Sequence, residues 1–152
     1  MNVGETVEDF VLKDTSGNDL RLYDQISDGK VLILFFPLAF SSVCTDEMCH
    51  YRDNMKLYNS LNANILGISV DSFFTLKEFK RSNNLPFPLV SDFNKKVSRQ
   101  FGVLNEDYFG MNGVAKRAAF VINSEGVVEY SEIVENSDLL PDFKAIQHAL
   151  EE

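Results

Sequence analysis

Cysteine is scarce in this chain, with only Cys44 and Cys49 among 152 residues. That excludes the disulfide framework of a small secreted scaffold. Positive charge is also short: 14 Lys and Arg face 23 Asp and Glu, a formal net charge of −9. This balance argues against nucleic acid or an anionic membrane surface as a general partner and leaves small neutral substrates open. No apolar run approaches the ~20 residues of a membrane helix. The opening Met1-Asn2-Val3-Gly4-Glu5-Thr6 lacks the basic and then apolar pattern of a secretory signal. There is no Gly-rich phosphate loop, internal repeat, low-complexity tract or Pro/Gly/Ser-rich linker. Histidine is limited to His50 and His148. Cys44, Cys49 and His50 would share one helix at spacings that do not converge on a metal, and no fourth ligand is evident. The expectation is a single domain over residues 1–152, cytoplasmic and in a reducing compartment, with no metal or cofactor.

The apolar content of 45% suffices for one sizeable core. Glu8 to Asp14 and Asn18 to Leu22 flank the turn Thr15-Ser16-Gly17 and read as an N-terminal β-hairpin. Val31 to Phe36 and Ile65 to Val70 are continuous apolar runs of strand length, as expected for strands covered on both faces. Between them, Met48, Tyr51, Met55, Tyr58 and Leu61 recur at steps of three and four, which predicts one amphipathic helix over about Ser42 to Asn62. Asp71-Ser72 reads as the cap of a helix reaching about Arg81. A short strand Leu89-Val90-Ser91 follows Pro86-Phe87-Pro88, and Lys95 to Phe101 reads as a short helix closed by Gly102. Ala118 to Asn123 and Val127 to Val134 form an apolar hairpin around Ser124-Glu125-Gly126. Ser137 or Asp138 is expected to cap a last helix running to about Leu150. Strands alternating with helices, then a hairpin and a helix, give an α/β domain with a central mixed β-sheet flanked by helices. The order is that of the thioredoxin-like fold, with an extra N-terminal β-hairpin and an inserted helical segment.

The informative stretch is Phe35 to Cys49. A buried strand meets Pro37, a loop with Ser41 and Ser42 follows, and Cys44 falls where a helix begins. Unpaired N–H groups and the positive end of the helix dipole favour a thiolate there, and the thiolate is the nucleophile. An arbitrary free cysteine is more often a small buried hydrophobe. The strand-to-helix junction and the flanking hydroxyls of Ser41, Ser42 and Thr45 reverse that reading here. Pro37 is either a plain strand terminator or a shield that keeps water off the thiolate. Ser41 is either a turn former or a hydroxyl that orients a substrate oxygen. Glu47 is either a first-turn acid stabilised by the dipole or a carboxylate that orients an arginine across the site.

The pattern Pro37-x-x-x-Ser41-x-x-Cys44 resembles the Pro-x-x-x-Thr/Ser-x-x-Cys signature of the peroxiredoxins, the alkyl hydroperoxide reductase and thiol-specific antioxidant family. Phe87-Pro88-Leu89-Val90-Ser91-Asp92 and the stretch Gly113 to Ile122, where an arginine opens a strand, are similar to that family too. The likeness covers nearly the whole chain. It is nearest the short branches that resemble bacterioferritin comigratory protein and the one-cysteine alkyl hydroperoxidases. The resemblance implies a thiol-dependent peroxidase that reduces hydrogen peroxide and organic hydroperoxides through a sulfenic acid at Cys44. It implies that Ser41 and Pro37 hold the signature's hydroxyl and shielding positions. It also implies that Arg117 supports the thiolate and transition state, since a guanidinium offers fixed donors and permanent charge. Without the family, Arg117 reads as a surface ion pair; Arg52, Arg81 and Arg99 have less support. The implied partners are a peroxide substrate and a thioredoxin-, glutaredoxin- or low-molecular-weight-thiol-type reductant, with a homodimer as a further expectation.

Cys49 follows Cys44 by five positions. In the comigratory-protein branch a cysteine at this spacing can be the resolving thiol. Five helical residues span ~7.5 Å of rise and about 140° of rotation, whereas a disulfide needs Cα atoms within ~7 Å and converging side chains. Resolution by Cys49 therefore requires the helix to unwind. The alternative is a Cys49 buried in the core beside Met48, with an external thiol completing the cycle. Two rival functions remain. A thioredoxin-like disulfide oxidoreductase would use Cys-x-x-Cys and a cis-proline before the terminal hairpin, and Lys116-Arg117-Ala118 has no proline. A chaperone or redox-sensing protein would use Cys44 oxidation as a switch.

Overall fold

The computed structural model describes residues 1–152. Its frame is a seven-stranded sheet in the order β2-β1-β5-β4-β3-β8-β9. The strands are β1 Val11–Asp14, β2 Asp19–Arg21, β3 Val31–Phe35, β4 Asn64–Ser69, β5 Leu89–Ser91, β8 Arg117–Ile122 and β9 Val128–Val134. A separate two-stranded pair joins β6 Leu104–Asn105 to β7 Val114–Ala115. Strands β3, β4 and β5 are parallel neighbours, while β8 lies antiparallel to β3 with Phe35 opposite Ala118. The helices are α1 Leu22–Ile26, α2 Ser42–Asp53, α3 Met55–Ser60, α4 Phe73–Asn83, α5 Lys96–Gln100 and α6 Phe143–Glu151.

The alternation of side chains along β3 explains its unbroken apolar sequence. Val31, Ile33 and Phe35 enter one core with Val7, Phe10, Phe101 and Phe120. Leu32 and Leu34, followed by Phe36, enter a second core with Met48, Tyr51, Tyr58, Phe79 and Ile146. Every residue of β3 is fully buried. At ~25 cal/mol per Å² of apolar surface, burying such side chains contributes about 1.5–3 kcal/mol each, which makes β3 the anchor of both faces.

The thioredoxin-like arrangement is as expected, and three boundaries differ. The single helix predicted over Ser42 to Asn62 is two helices. Asn54 ends α2 by donating its side-chain amide to the His50 carbonyl at 2.8 Å, while its backbone leaves the helical region. The last helix is capped by Asp142, not by Ser137 or Asp138; the Asp142 carboxylate accepts from the Ala145 N–H at 3.1 Å. Pro141 is the reason: it disfavours a helical conformation at Leu140, so no helix can run through from Ser137. The N-terminal hairpin is shorter than predicted, because Leu22 turns inward to open α1. By contrast, Ser72 caps α4 as expected, accepting from the Thr75 N–H at 3.2 Å. Asn84 closes that helix with a left-handed φ of 51°.

Candidate active site

Cys44 is the third residue of α2, fully buried at the carboxyl end of β3. No side chain caps this helix. The Ser41 hydroxyl instead donates to the Leu38 carbonyl at 2.9 Å, and the Ser41 carbonyl accepts from the Thr45 hydroxyl at 2.8 Å. The first-turn N–H groups are left free to face an anion. Pro37 is buried at the start of this loop, just past the end of β3. No hydrogen bond joins Ser41 to Cys44; the partner of the sulfur comes from β8.

That partner is Arg117. Along β8 it shares the facing of Ala119 and Val121, which pack in the second core beneath α2. The register of β8 against β3 sets Arg117 beside the end of β3, where Pro37 turns the chain away. Its Nη2 lies 3.4 Å from Cys44 Sγ and also donates to the Ser137 carbonyl at 3.0 Å. Its Nη1 donates to Glu47 Oε1 at 2.8 Å. Arg117 is only 1% exposed, so the surface-pair alternative fails. Burial works against its charge, but Cys44 and Glu47 outweigh burial and hold the guanidinium above its ordinary range.

Glu47 takes the second of its two readings: it is fully buried and points at Arg117. Burial pushes its carboxyl up to about 7, Arg117 offsetting part of that rise by attraction and hydrogen bonding. Three buried polar atoms nearby lack partners, namely Glu47 Oε2, Arg117 Nε and Tyr51 Oη. Tyr51 is raised well above its ordinary range by burial, with Glu47 adding to the effect.

Cys49 lies apart from this group. It is half-buried on the far side of α2, its sulfur 3.8 Å from Asn83 Oδ1. It is not packed in the core beside Met48, which is fully buried. With α2 unbroken from Ser42 to Asp53, the two thiols cannot bond in this conformation. Arg52 pairs with Asp53 and Arg81 with Glu78, both away from Cys44. A cavity of about 410 Å³ opens between β1, the start of α4 and the turn after β5. Phe73, Phe74 and Phe93 line it, and neither Cys44 nor Arg117 does. Sequence reasoning missed one contributor, the Ser137 carbonyl, because a backbone group has no residue signature.

A thiol held against a guanidinium at the carboxyl end of a thioredoxin-like sheet is the arrangement of a thiol oxidoreductase, and fold and site together define that class. Among known proteins, the model of the AhpC/TSA family matches residues 3–131. Alkyl hydroperoxide reductase E of Mycobacterium bovis is 34% identical over 135 residues, covering 88% of this chain and 86% of its own. The crystal structure of peroxidoxin BcpB from Mycobacterium tuberculosis superposes with a TM-score of 0.86 at 34% identity, covering 99% of this chain and 94% of that one. A peroxiredoxin 6 variant of Arenicola marina reaches a TM-score of 0.91 over 99% of this chain and 72% of its own. At 17% identity, that second match speaks for the fold alone. The chain belongs to the AhpC/TSA family, the peroxiredoxins, and is a thiol-dependent peroxidase. Its likeness to BcpB fits the short branch that resembles bacterioferritin comigratory protein.

Proposed function

We propose that Cys44 is the peroxidatic nucleophile and that Arg117, Ser41, Pro37 and Glu47 support it in distinct ways. The observation that carries this is the buried guanidinium 3.4 Å from the Cys44 sulfur. The thiolate attacks one peroxide oxygen, the O–O bond breaks, and water or an alcohol leaves after taking up a proton. Cys44 is left as a sulfenic acid. Arg117 stabilises negative charge on sulfur and on the separating oxygen. Free N–H groups in the first turn of α2 and the Ser41 hydroxyl orient the peroxide, and Pro37 keeps water away. Glu47 holds Arg117 in place.

A thiol then condenses with the sulfenic acid, releasing water and forming a disulfide. Cys49 is that thiol if the first turns of α2 unwind; otherwise an external thioredoxin-, glutaredoxin- or low-molecular-weight thiol serves. The half-exposed position of Cys49, outside the packed core, supports the first route. No helix is long and apolar enough to cross a membrane. Exposed Phe40, Phe74, Phe93 and Phe109 offer apolar surface for a homodimer.

Stopped-flow oxidation of the reduced protein by hydrogen peroxide and by a fatty-acid hydroperoxide tests the first step. A rate no faster than that of free cysteine overturns it. Intact mass and peptide mapping after one equivalent of peroxide decide the second step. Loss of two hydrogens with a Cys44–Cys49 disulfide supports internal resolution. A gain of one oxygen with Cys49 still alkylatable rejects it.

A further inference from the structure

We propose that Asp71 is a positioning residue for the peroxidase reaction, its carboxylate fixing the loop Pro37–Ser41 in front of Cys44. The inference rests on the assignment of Cys44 and Ser41 above. Asp71 Oδ2 accepts from the Ala39 N–H at 2.8 Å and from the Ser69 hydroxyl at 2.7 Å. The Ala39 bond is the only hydrogen bond that ties residues 37–41 to any element other than α2. Asp71 is itself held from two strands. Its own N–H donates to Ser69 Oγ at 3.1 Å, at the end of β4. Its carbonyl accepts from the Ser91 hydroxyl at 2.5 Å, at the end of β5. The carboxylate thus ties the loop after β3 to the end of β4, while the backbone carbonyl of the same residue is held by the end of β5.

The loop needs such a tie. Phe40, next to Ala39, has a φ of 72°, a left-handed conformation that is unfavourable for a bulky side chain. Its ring is half-exposed and meets Phe79 edge-on at 5.2 Å. A strained residue persists where its surroundings over-determine it, and here the Asp71 bond on one side and Phe79 on the other do so. Arg117 is placed independently, by Glu47 and Ser137. Two supports therefore converge on Cys44: one sets the cation, the other the hydroxyl and backbone that receive the peroxide.

The two roles separate experimentally. Alkylation of Cys44 by iodoacetamide needs an accessible thiolate but no aligned peroxide. In Asp71→Ala, the stopped-flow rate with hydrogen peroxide should fall on the order of 10- to 100-fold, while alkylation mapped to Cys44 changes by less than about threefold. Asp71→Asn keeps an acceptor oxygen and should lie between wild type and Asp71→Ala. Ser69→Ala, which removes one support of the carboxylate, should move the rate less and in the same direction. Amide exchange at Ala39 should quicken in Asp71→Ala. An unchanged peroxide rate, or peroxide and alkylation rates falling together with the thermal midpoint, overturns the proposal. So does a faster Asp71→Asn, which would mean that the negative charge, not the hydrogen bond, governs the site. Unchanged Ala39 exchange in a fast wild-type peroxidase removes the clamp and leaves the Cys44 assignment standing. A wild type no faster than free cysteine removes both.

Discussion

Arg117 makes three hydrogen bonds from two nitrogens, to Cys44, Glu47 and Ser137. A lysine presents one point charge and cannot reproduce that fork. Both Arg117→Lys and Arg117→Met should lower the second-order rate with hydrogen peroxide, on the order of 10²- to 10³-fold for Met, the usual cost of losing a charge-stabilising donor. Stopped-flow kinetics would check this, and a loss under about tenfold for Met would remove Arg117 from the reaction. Glu47 supports a prediction on stability. Its carboxyl is raised from 4.5 to about 7 by burial, so the folded state binds this proton more tightly than the unfolded chain does. The stability it contributes is complete below pH 4.5 and is lost as pH rises to about 7. The loss is on the order of 3 kcal/mol over that window. Urea unfolding at pH 5, 6, 7 and 8 should show this slope in wild type and not in Glu47→Gln; parallel curves would rule it out. As candidates, Cys44, Ser41 and Pro37 could be picked out because they are contiguous with the strand and helix that position them. Arg117 lies 73 residues from Cys44, so its pairing was reachable only through the family resemblance. Glu47 stayed open because choosing between dipole and arginine requires a distance.

At the scale of elements, the periodicity of α2 continues past Asn54, so the sequence reads as one helix where the backbone makes two. The break falls at Asn54, whose backbone N–H and side-chain amide both donate to the His50 carbonyl while its own φ of −113° leaves the helical region, local features that hydrophobic spacing does not report. The start of α6 was legible in principle, since Pro141 forbids a helix through it, but Ser137 and Asp138 offered equally good capping chemistry. The true cap matters for the site. α6 meets α2 through Phe143, stacked on His50 with ring centroids 3.6 Å apart, and sets Ile146 and Leu150 in the core that also holds Met48 and Tyr51 of α2. Asp142→Ala should destabilise the protein by about 1 kcal/mol, the typical value of an N-cap. Hydrogen exchange should show faster opening of α6, followed by the His50 half of α2. If only α6 exchanges faster, the two helices are not coupled through that stack.

Across the whole molecule, the two cores share β3 and β8, and neither face can loosen without disturbing strands that line the other. This shared middle was legible in the unbroken apolar runs. The pair β6–β7 and helix α1 were not, being too short for periodicity to register. The absence of tryptophan makes tyrosine the intrinsic fluorophore, and its two fully buried members, Tyr51 and Tyr58, lie in the α2 core. Phe120 lies in the opposite core, 5.9 Å from Phe35 and 5.0 Å from Phe101 between ring centroids. Phe120→Ala should cost about 3–5 kcal/mol through lost burial and the cavity left behind. Because the cores share their strands, tyrosine emission and far-ultraviolet circular dichroism should report one common, lowered urea midpoint. A tyrosine transition that stays at the wild-type midpoint while the dichroism shifts would mean that the faces unfold separately. The thiol, the guanidinium and the core that buries them would then form a unit independent of the sheet's other side.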